Sequence, residues 1–369
     1  MKIALTVDRF DPLGGGLEKW TFGLASHLAE AGHEIHVVTF ATADHALPLT
    51  VHVLTAARSP LLRARRIEDH LARIAPDVVH DIGAAWSADV FQPQTGSLLL
   101  SLDREIASFP LRRRLRAALS PRMILRRSRM DRLERGQARR ARRIIAVSRL
   151  VRELLAGRHG VAPDAMPVIP NGVDTDAFSP VPRQIGPAVH FLASAQNFWL
   201  KGADTALRAL ALLAGAGHDV RLAIAGATPA PRWPRLAAEL GIAGRVRFCG
   251  RVADMKPLFA AADVFLHPTR WDACSLSTLE AMASGLPVIT TCRDGASELI
   301  EHGRSGFVLA DPDDVHALAA HMRALRDADL RRRLGEAARQ AALRHQLKHN
   351  YRAVEAVLVE AARGAPPAG

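Results

Sequence analysis

The chain has 369 residues, 49% of them hydrophobic and 23% charged, and 49 basic residues outnumber 37 acidic ones. This length exceeds what one hydrophobic core usually supports, so we expect two domains, and the apolar content excludes a disordered chain. No apolar run reaches the roughly 18–20 residues of a membrane span, and three cysteines without paired spacing favour reduced thiols over disulfides or a zinc site. The net charge of +12 indicates an anionic partner, although a general bias toward Ala and Arg is an alternative cause.

Short apolar segments alternate with helical patterns along the chain, beginning with KIALTV at the N-terminus and EIHVVT at 34–39. Alternation of this kind predicts parallel sheets covered by helices, and we expect KIALTV to be the first strand rather than a signal sequence. A cluster of Pro and Gly at 180–187 marks a boundary. We therefore predict one domain at 1–182, a second at 187–345, a C-terminal helix at 346–363 and a tail at 364–369.

Three glycines at 14–16 lie between the first predicted strand and the first predicted helix. Backbone N–H groups in such a loop can approach a phosphate without interference from side chains. The G-x-G-x-x-G pattern is absent and no acidic residue follows the second strand, so the dinucleotide fingerprint fails. The alternative to a phosphate-binding loop at these glycines is a plain flexible turn.

Residues 112–152 contain sixteen arginines and only two acidic residues. Met123, Leu125, Met130 and Leu133 are interleaved with them, which predicts an amphipathic basic helix on an anionic bilayer. No aromatic residue is available in this stretch to stack on bases, so nucleic acid is not expected as a partner. A solvated helix in an Arg-rich chain is the alternative.

Three polar residues follow predicted strands of the two sheets, where open α/β folds bind ligands. His80 ends DVVH and His267 ends VFLH, and we favour a structural role for a histidine in such a place. Lys201, in NFWLKG, opens the first helix of the second domain, where a cation next to the helix N-terminus suits a diphosphate.

Two Asp-x-Asp pairs could in principle bind a divalent cation: Asp174 with Asp176, and Asp311 with Asp313. Each pair lies in a segment rich in turn-forming residues, and we favour ordinary turn chemistry for both.

The segment WDACSLSTLEAMASGLPVITT, at 271–291, places seven residues between Asp272 and Glu280. Ser277 and Glu280 fit a capping box at a helix start, which explains the glutamate but leaves the aspartate unexplained. A ligand site that uses both carboxylates is the competing interpretation.

The glycine loop, IPNGVD at 169–174, NFWLKG and the 271–291 segment resemble, in this order, the motifs of the family 4 retaining glycosyltransferases, in particular the branch of the lipopolysaccharide core glucosyltransferase. The resemblance implies an α/β GT-B fold, with two Rossmann-like domains whose parallel sheets face a central cleft. Residues 1–182 would then form the acceptor side and 187–345 the donor-binding side, and the last helix would pack back toward the first domain.

The same resemblance implies roles for individual residues. Asp272 would face the hydroxyl groups of the donor sugar, Glu280 would bind the ribose, and Lys201 would neutralise the diphosphate, which makes Asp272 and Lys201 the expected catalytic residues. Backbone N–H groups at the helix start would meet sugar and phosphate. The full expected donor set is Gly15, Gly16, Lys201, Asp272, Ser275, Leu276, Ser277 and Glu280, with His80 and Gln94 on the acceptor side.

The function implied is a metal-independent hexosyltransferase that needs no cofactor beyond its nucleotide-sugar donor, with UDP-glucose favoured. The acceptor would be a lipid-linked or lipopolysaccharide-core saccharide, and the protein would be cytoplasmic and peripheral on the inner face of the cytoplasmic membrane. A non-catalytic nucleotide-sugar-binding scaffold and an epimerase of the same fold are the alternatives.

Overall fold

A computed structural model of the chain describes residues 1–182 and 186–364, which form two compact units. The first unit comprises Met1–Leu102, Leu111–Pro170 and the chain from Lys348 onward, and the second comprises Asp103–Pro110 and Asn171–Leu347. The units divide between Pro170 and Asn171, and the domain limits at 182 and 187 stay a prediction. Of the expected tail, residues 365–369 lie outside the described part of the chain.

Strands and helices alternate in both units, as the sequence predicts. The strands are β1 Lys2–Thr6, β2 Glu34–Thr39, β3 Thr50–Val53, β4 Val78–Asp81, β5 Val90–Phe91, β6 Arg143–Ile144, β7 Val189–Ala195, β8 Val220–Gly226, β9 Val246–Gly250, β10 Val264–Leu266, β11 Val288–Thr291 and β12 Gly306–Leu309. The helices are α1 Gly16–Glu30, α2 Pro60–Ile74, α3 Leu98–Ala107, α4 Leu111–Ala118, α5 Pro121–Arg140, α6 Arg149–His159, α7 Ala203–Gly215, α8 Arg232–Glu239, α9 Lys256–Ala261, α10 Leu276–Ala283, α11 Val315–Ala324, α12 Ala328–Leu343 and α13 Leu347–Ala362.

Each unit contains one six-stranded sheet, with the order β3-β2-β1-β4-β5-β6 in the first and β12-β11-β10-β7-β8-β9 in the second. All strand pairs are parallel. The two orders are the same doubly wound arrangement, traced from opposite edges, and the α/β prediction of two parallel sheets is confirmed. Parallel strands end at one edge of the sheet, so the loops after β7 and β10, which are neighbours, must lie side by side.

The cores follow from the apolar patterning of the strands and of the helix faces that cover them. In the first unit, Ile3 and Leu5 of β1 are completely buried, and Leu24 and Leu28 of α1 repeat at helical spacing. In the second unit the central strands are apolar on both faces, as in VFL at 264–266, because helices cover both sides of the sheet. Within the described ranges, no helix is long and apolar enough to cross a membrane.

The C-terminal helix α13 belongs to the first unit through two adjacent polar residues. Asn350 accepts a hydrogen bond from Trp20 Nε1 at 2.9 Å and donates one to the Pro170 carbonyl at 2.7 Å. Tyr351 donates its hydroxyl hydrogen to the Trp20 carbonyl at 3.2 Å, and any side chain at Gly23 would overlap that hydroxyl. The helix is therefore fixed on α1 by buried hydrogen bonds as well as by apolar packing.

We expect Asn350→Ala to lower the free energy of unfolding by about 1–3 kcal/mol, because it leaves the buried Trp20 N–H without an acceptor. Urea denaturation followed by tryptophan fluorescence measures the change. His349→Ala, at an exposed position of the same helix, is the matched control and should differ little from the wild type. Equal stability of the two variants would contradict this account of how α13 is held.

Candidate functional site

Lys201 lies in a tight loop between β7 and α7, at the carboxyl edge of the second sheet. Asn197 shapes this loop, since its Oδ1 accepts from the Leu200 N–H at 3.1 Å and its carbonyl accepts from the Lys201 N–H at 2.9 Å. Gly202 follows with a φ of +65°, and a Cβ at this position would overlap the Pro268 carbonyl oxygen. Glycine therefore allows the loop after β7 to touch the loop after β10.

Arg270 joins the same two loops by hydrogen bonds. Its backbone N–H donates to the Leu200 carbonyl at 2.8 Å, and its guanidinium donates to the Trp199 carbonyl at 2.5 Å. Two further bonds, at 2.9 and 3.0 Å, run to the two carboxylate oxygens of Asp204 at the start of α7. This paired geometry is specific to arginine, and it holds Lys201 next to residues 271 and 272.

Asp272 is the centre of the polar site that results. Its Oδ2 accepts from Lys201 Nζ at 2.5 Å and from His267 Nε2 at 3.0 Å. Burial favours a raised pKa for Asp272, but the charge of Lys201 and the hydrogen bond from His267 outweigh burial and hold the pKa well below the usual range. The carboxylate is therefore ionised at neutral pH. The structural role that the sequence favours for His267 stays a prediction, and the structure puts its ring against this carboxylate.

The helix that carries Glu280 begins earlier than the sequence predicted. Ser275 is the N-cap of α10, and its Oγ accepts from the Thr278 N–H at 3.2 Å. The predicted capping box of Ser277 and Glu280 is therefore wrong: Ser277 is already the second residue of the helix, and Glu280 lies in its second turn, half-buried. The N–H groups of Leu276 and Ser277, at the helix start, have no partner within the helix and point toward its N-terminal end.

Asp294, which the sequence did not single out, organises the start of α10. It is completely buried, and its Oδ1 accepts from the N–H groups of Ser275 and Ala296 at 3.1 and 3.0 Å. Its Oδ2 accepts from the hydroxyl groups of Thr278 and Thr290 at 3.0 and 2.9 Å. Burial raises the pKa of Asp294. The Ser275 N–H, expected to meet the donor, is thus engaged within the protein, and the only local signal was an Asp-Gly turn after a strand.

The glycine loop opens α1 in the first unit. Gly15 is the N-cap and Gly16 the first residue of the helix, so their N–H groups lie at the N-terminal end of its dipole. A Cβ at Gly14 would lie 2.6 Å from Glu18 Cβ, which leaves no room for a side chain there. Gly15 and Gly16 belong to the first unit, and Lys201 belongs to the second.

His80 is the penultimate residue of β4 and Gln94 follows β5, so both lie near the carboxyl edge of the first sheet. His80 Nε2 is 3.1 Å from Gln92 Oε1, and burial lowers the pKa of His80 to about 4, so this ring is neutral. Three buried nitrogens here have no hydrogen-bond partner within residues 1–182 and 186–364: His80 Nδ1, Gln92 Nε2 and Gln94 Nε2. Buried polar atoms without partners are rare in folded proteins, and three of them at one edge of a sheet leave hydrogen-bonding capacity for a ligand or water.

The basic stretch 112–152 is not the single helix that was predicted, since it runs through α4, α5, β6 and the start of α6. Leu133 is only 4% exposed and belongs to the core, so it was wrongly assigned to the surface strip. Of the other predicted strip residues, Leu125 is half exposed, and Met123 and Met130 are partly exposed. Leu111, Leu115, Leu119 and Ile124 are also more than half exposed. Leu111 and Leu115 lie four residues apart in α4, and Leu119 follows directly after the helix ends. This helix buries none of its residues and also carries Arg112, Arg113, Arg114 and Arg116.

Both Asp-x-Asp pairs form turns. Asp174 Oδ1 accepts from the backbone of Asp176 at 3.0 Å, and Asp311 Oδ1 accepts from the backbone of Asp313 at 2.9 Å. Asp313 also accepts from Arg270 Nε at 2.8 Å. Among the residues that the structure describes, no three His, Cys, Asp or Glu side chains are grouped so as to hold a metal ion.

Comparison with known proteins assigns the chain to a family. Residues 14–177 match the family described as Glycosyltransferase Family 4, and residues 186–327 match Glycosyl transferases group 1. The crystal structure of WaaG, a glycosyltransferase involved in lipopolysaccharide biosynthesis, shares the fold with a TM-score of 0.80 at 22% identity, over 96% of this chain and 99% of that chain. The chain belongs to the family 4 glycosyltransferases. The GT-B fold implied by the resemblance is thereby confirmed.

The proteins that this glycosyltransferase is similar to include a lipopolysaccharide glucosyltransferase and a protein solved with UDP-glucose. The lipopolysaccharide glucosyltransferase WaaG of Escherichia coli (strain K12) is 35% identical over 148 residues, which are 40% of each chain. The crystal structure of Anabaena HepE in complex with UDP-glucose matches with a TM-score of 0.72 at 19% identity, over 98% of this glycosyltransferase and all of that chain. The chain spans about half the length of the curated relatives it matches.

The network around Asp294 generates a prediction about stability. Asp294→Ala leaves two N–H groups and two hydroxyl groups without their acceptor, and we expect it to lower the free energy of unfolding by roughly 2–5 kcal/mol. Asp294→Asn keeps an oxygen for both N–H groups, and the threonine hydroxyl groups can turn to accept from its amide, so it should lose far less. Urea denaturation of both variants measures the change. If both lose the same free energy of unfolding, the hydrogen bonds of Asp294 do not account for its contribution to stability.

Proposed function

We propose that this glycosyltransferase transfers glucose from UDP-glucose, with retention and without a metal ion, to a lipid-linked or lipopolysaccharide-core saccharide. The observation that carries the proposal is the ionised carboxylate of Asp272, bound by Lys201 and His267 at the carboxyl edge of the second sheet. The name of the E. coli relative supports a lipopolysaccharide acceptor, and the UDP-glucose complex of HepE supports the donor.

The donor is bound by charge and by helix dipoles in this proposal. The ammonium of Lys201 and the N–H groups of Leu276 and Ser277 bind the diphosphate, a role that suits a cation next to helix N-termini. Asp272 accepts hydrogen bonds from the glucose hydroxyl groups, and Glu280, half-buried in the second turn of α10, accepts from the ribose. The N–H groups of Gly15 and Gly16, at the start of α1 in the first unit, stay predicted donor contacts.

The reaction breaks the bond between the anomeric carbon and the diphosphate oxygen and forms a bond to the acceptor oxygen on the same face of the sugar. The proton of the acceptor hydroxyl passes to a phosphate oxygen of the donor. Lys201 stabilises the negative charge that develops on the departing diphosphate, so that no divalent cation is required. No protein carboxylate has to act as a nucleophile, and the paired-carboxylate scheme of glycosidases does not apply.

We assign the acceptor to the edge of the first sheet, where His80, Gln92 and Gln94 have buried nitrogens without partners among the described residues. A saccharide offers many hydroxyl groups, which can donate to or accept from neutral imidazole and amide groups alike. The neutral state of His80, whose pKa burial lowers to about 4, suits an uncharged acceptor.

A lipid-linked acceptor requires the enzyme to work at a membrane surface. The exposed leucines at 111, 115 and 119, in and directly after α4, alternate with arginines, a composition typical of a segment that lies in the headgroup region of an anionic bilayer. We therefore propose a cytoplasmic protein that binds peripherally to the inner face of the cytoplasmic membrane through the surface of 112–152, with no role for nucleic acid.

We expect Glu280→Ala to weaken UDP-glucose binding at least about tenfold, because the ribose loses a hydrogen bond to a charged acceptor. Isothermal titration calorimetry measures the affinity, and transfer of radiolabelled glucose measures turnover. The variant should fold, since alanine is a good helix former and position 280 is not a cap. Glu239→Ala, at an exposed position of α8, is the matched control. A folded Glu280→Ala protein with wild-type affinity and turnover would refute the assignment of Glu280 to the donor site.

For the membrane surface we predict co-sedimentation with vesicles that contain anionic lipid, and weaker binding as the salt concentration rises, because attraction between exposed charges is screened within about 8 Å at physiological salt. Replacing Leu111, Leu115 and Leu119 together by serine should abolish binding. Leu212→Ser, at an exposed position of α7, is the control and should bind normally. Equal binding to neutral and anionic vesicles, or binding to neither, would leave the arginines as a solvated surface.

A further inference from the structure

His267 has a fixed position at the end of β10, directly beside the proposed donor site. Its backbone N–H donates to the Ile289 carbonyl at 2.8 Å, and its ring is stacked over that of Phe265, with an angle of 16° between the planes. The residue is 1% exposed. The ring therefore has little freedom to turn, in contrast to a lysine side chain with four rotatable bonds.

The hydrogen bond to Asp272 defines the protonation of this ring. Nε2 is 3.0 Å from an ionised carboxylate oxygen, so Nε2 carries the hydrogen. Nδ1 is buried and has no hydrogen-bond partner within residues 1–182 and 186–364. A buried ring nitrogen without a hydrogen-bond partner lowers stability, so stability alone does not account for a histidine at this position. The hydrogen bond to Asp272 does account for it.

Both partners of Asp272 bind the same oxygen. Lys201 Nζ and His267 Nε2 both contact Oδ2, and no hydrogen bond within the described ranges involves Oδ1. Oδ1 is therefore the oxygen that remains available for a ligand hydroxyl. Oδ1 keeps a constant position toward such a ligand only if Oδ2 stays fixed.

The two partners differ in what a bound donor does to them. A diphosphate competes with Asp272 for the ammonium of Lys201, because it places a greater negative charge within reach of a flexible cation. Asp272 then loses its only cationic partner among the hydrogen bonds described, while the neighbouring Asp294 is an acceptor and cannot replace it. His267, neutral or protonated, still donates to Oδ2.

We infer that His267 is a positioning residue, which holds the Asp272 carboxylate toward the sugar of the donor while Lys201 moves from the carboxylate to the diphosphate. The inference rests on the proposed donor site and adds to it a residue that binds no part of the donor itself. It predicts that loss of His267 weakens binding of the glucose part of the donor and leaves binding of the nucleotide diphosphate unchanged.

The test compares the dissociation constants of UDP and UDP-glucose by isothermal titration calorimetry. For His267→Leu we expect UDP-glucose to bind roughly ten- to a hundredfold more weakly, the range for loss of a hydrogen bond to a charged group, with UDP affinity within twofold of the wild type. His267→Gln can present an amide N–H near the position of Nε2 and should restore most of the UDP-glucose affinity. His190→Leu, at an exposed position of β7, is the matched control.

The outcomes separate the two proposals. If the wild type binds neither ligand, the proposed donor site is wrong. If the wild type binds both and His267→Leu changes neither affinity, or weakens both equally, the positioning role is overturned and the donor site stands. If His267→Leu does not fold, His267→Asn takes its place, since its shorter amide cannot reach Asp272, and the same comparison applies. Failure of His267→Gln to bind UDP-glucose better than the leucine or asparagine variant would also overturn the role.

Discussion

The loop after β7 and the loop after β10 touch backbone to backbone, where Gly202 passes the Pro268 carbonyl. This contact needs a residue without a Cβ and with a positive φ, and Arg270 reinforces it with hydrogen bonds from its backbone and its guanidinium. The order of the sheet makes the contact possible, because β7 and β10 are adjacent parallel strands that end at the same edge. Lys201 reaches Asp272 only because these two loops are joined.

Two carboxylates near this contact have different surroundings and suit different roles: Asp272 is partly exposed and Asp294 is completely buried. Asp272 has a cation and a histidine on one oxygen, and its pKa is held low, so it is a charged acceptor with one oxygen left for a ligand. Asp294 uses both oxygens to hold the start of α10 and has no cation among its hydrogen-bond partners, and burial raises its pKa. The first arrangement suits recognition of hydroxyl groups, and the second suits construction of the helix start that would receive a phosphate.

In the first unit, a single helix links the basic surface to the edge of the sheet. The first half of α5 exposes Ile124 and Leu125, whereas the second half buries Glu134 and Gln137. The carboxylate of Glu134 accepts from the hydroxyl of Ser97 and from the Leu99 N–H, each at 2.9 Å, and so fixes the segment that follows Gln94. The Gln137 amide donates to Asp81 at 3.0 Å, next to His80. The proposed membrane surface and the proposed acceptor edge thus share one rigid element.

The resemblance of short motifs to a family was as informative as the periodicity. Strand and helix patterns predicted the two parallel sheets, but only the order of four motifs indicated what Lys201, Asp272 and Glu280 do. Those three residues stay predictions as ligand contacts, although the structure shows that the first two touch. The sequence did not distinguish the exposed leucines at 111, 115 and 119 from core residues. In a stretch rich in arginine, an exposed leucine and a buried one such as Leu133 have the same local sequence pattern.

The sequence by itself determined the fold class and the places where functional loops occur, because strand periodicity, turn residues and helix-breaking glycines act over a few neighbouring residues. Tertiary structure decided which side chains meet. The cap at Ser275 rather than Ser277 depends on Asp294, 19 residues away, and the partner of Asp272 depends on a loop 71 residues away. Local propensity carries no information about contacts of that separation, since they arise only when adjacent parallel strands bring the ends of distant loops to one edge of a sheet.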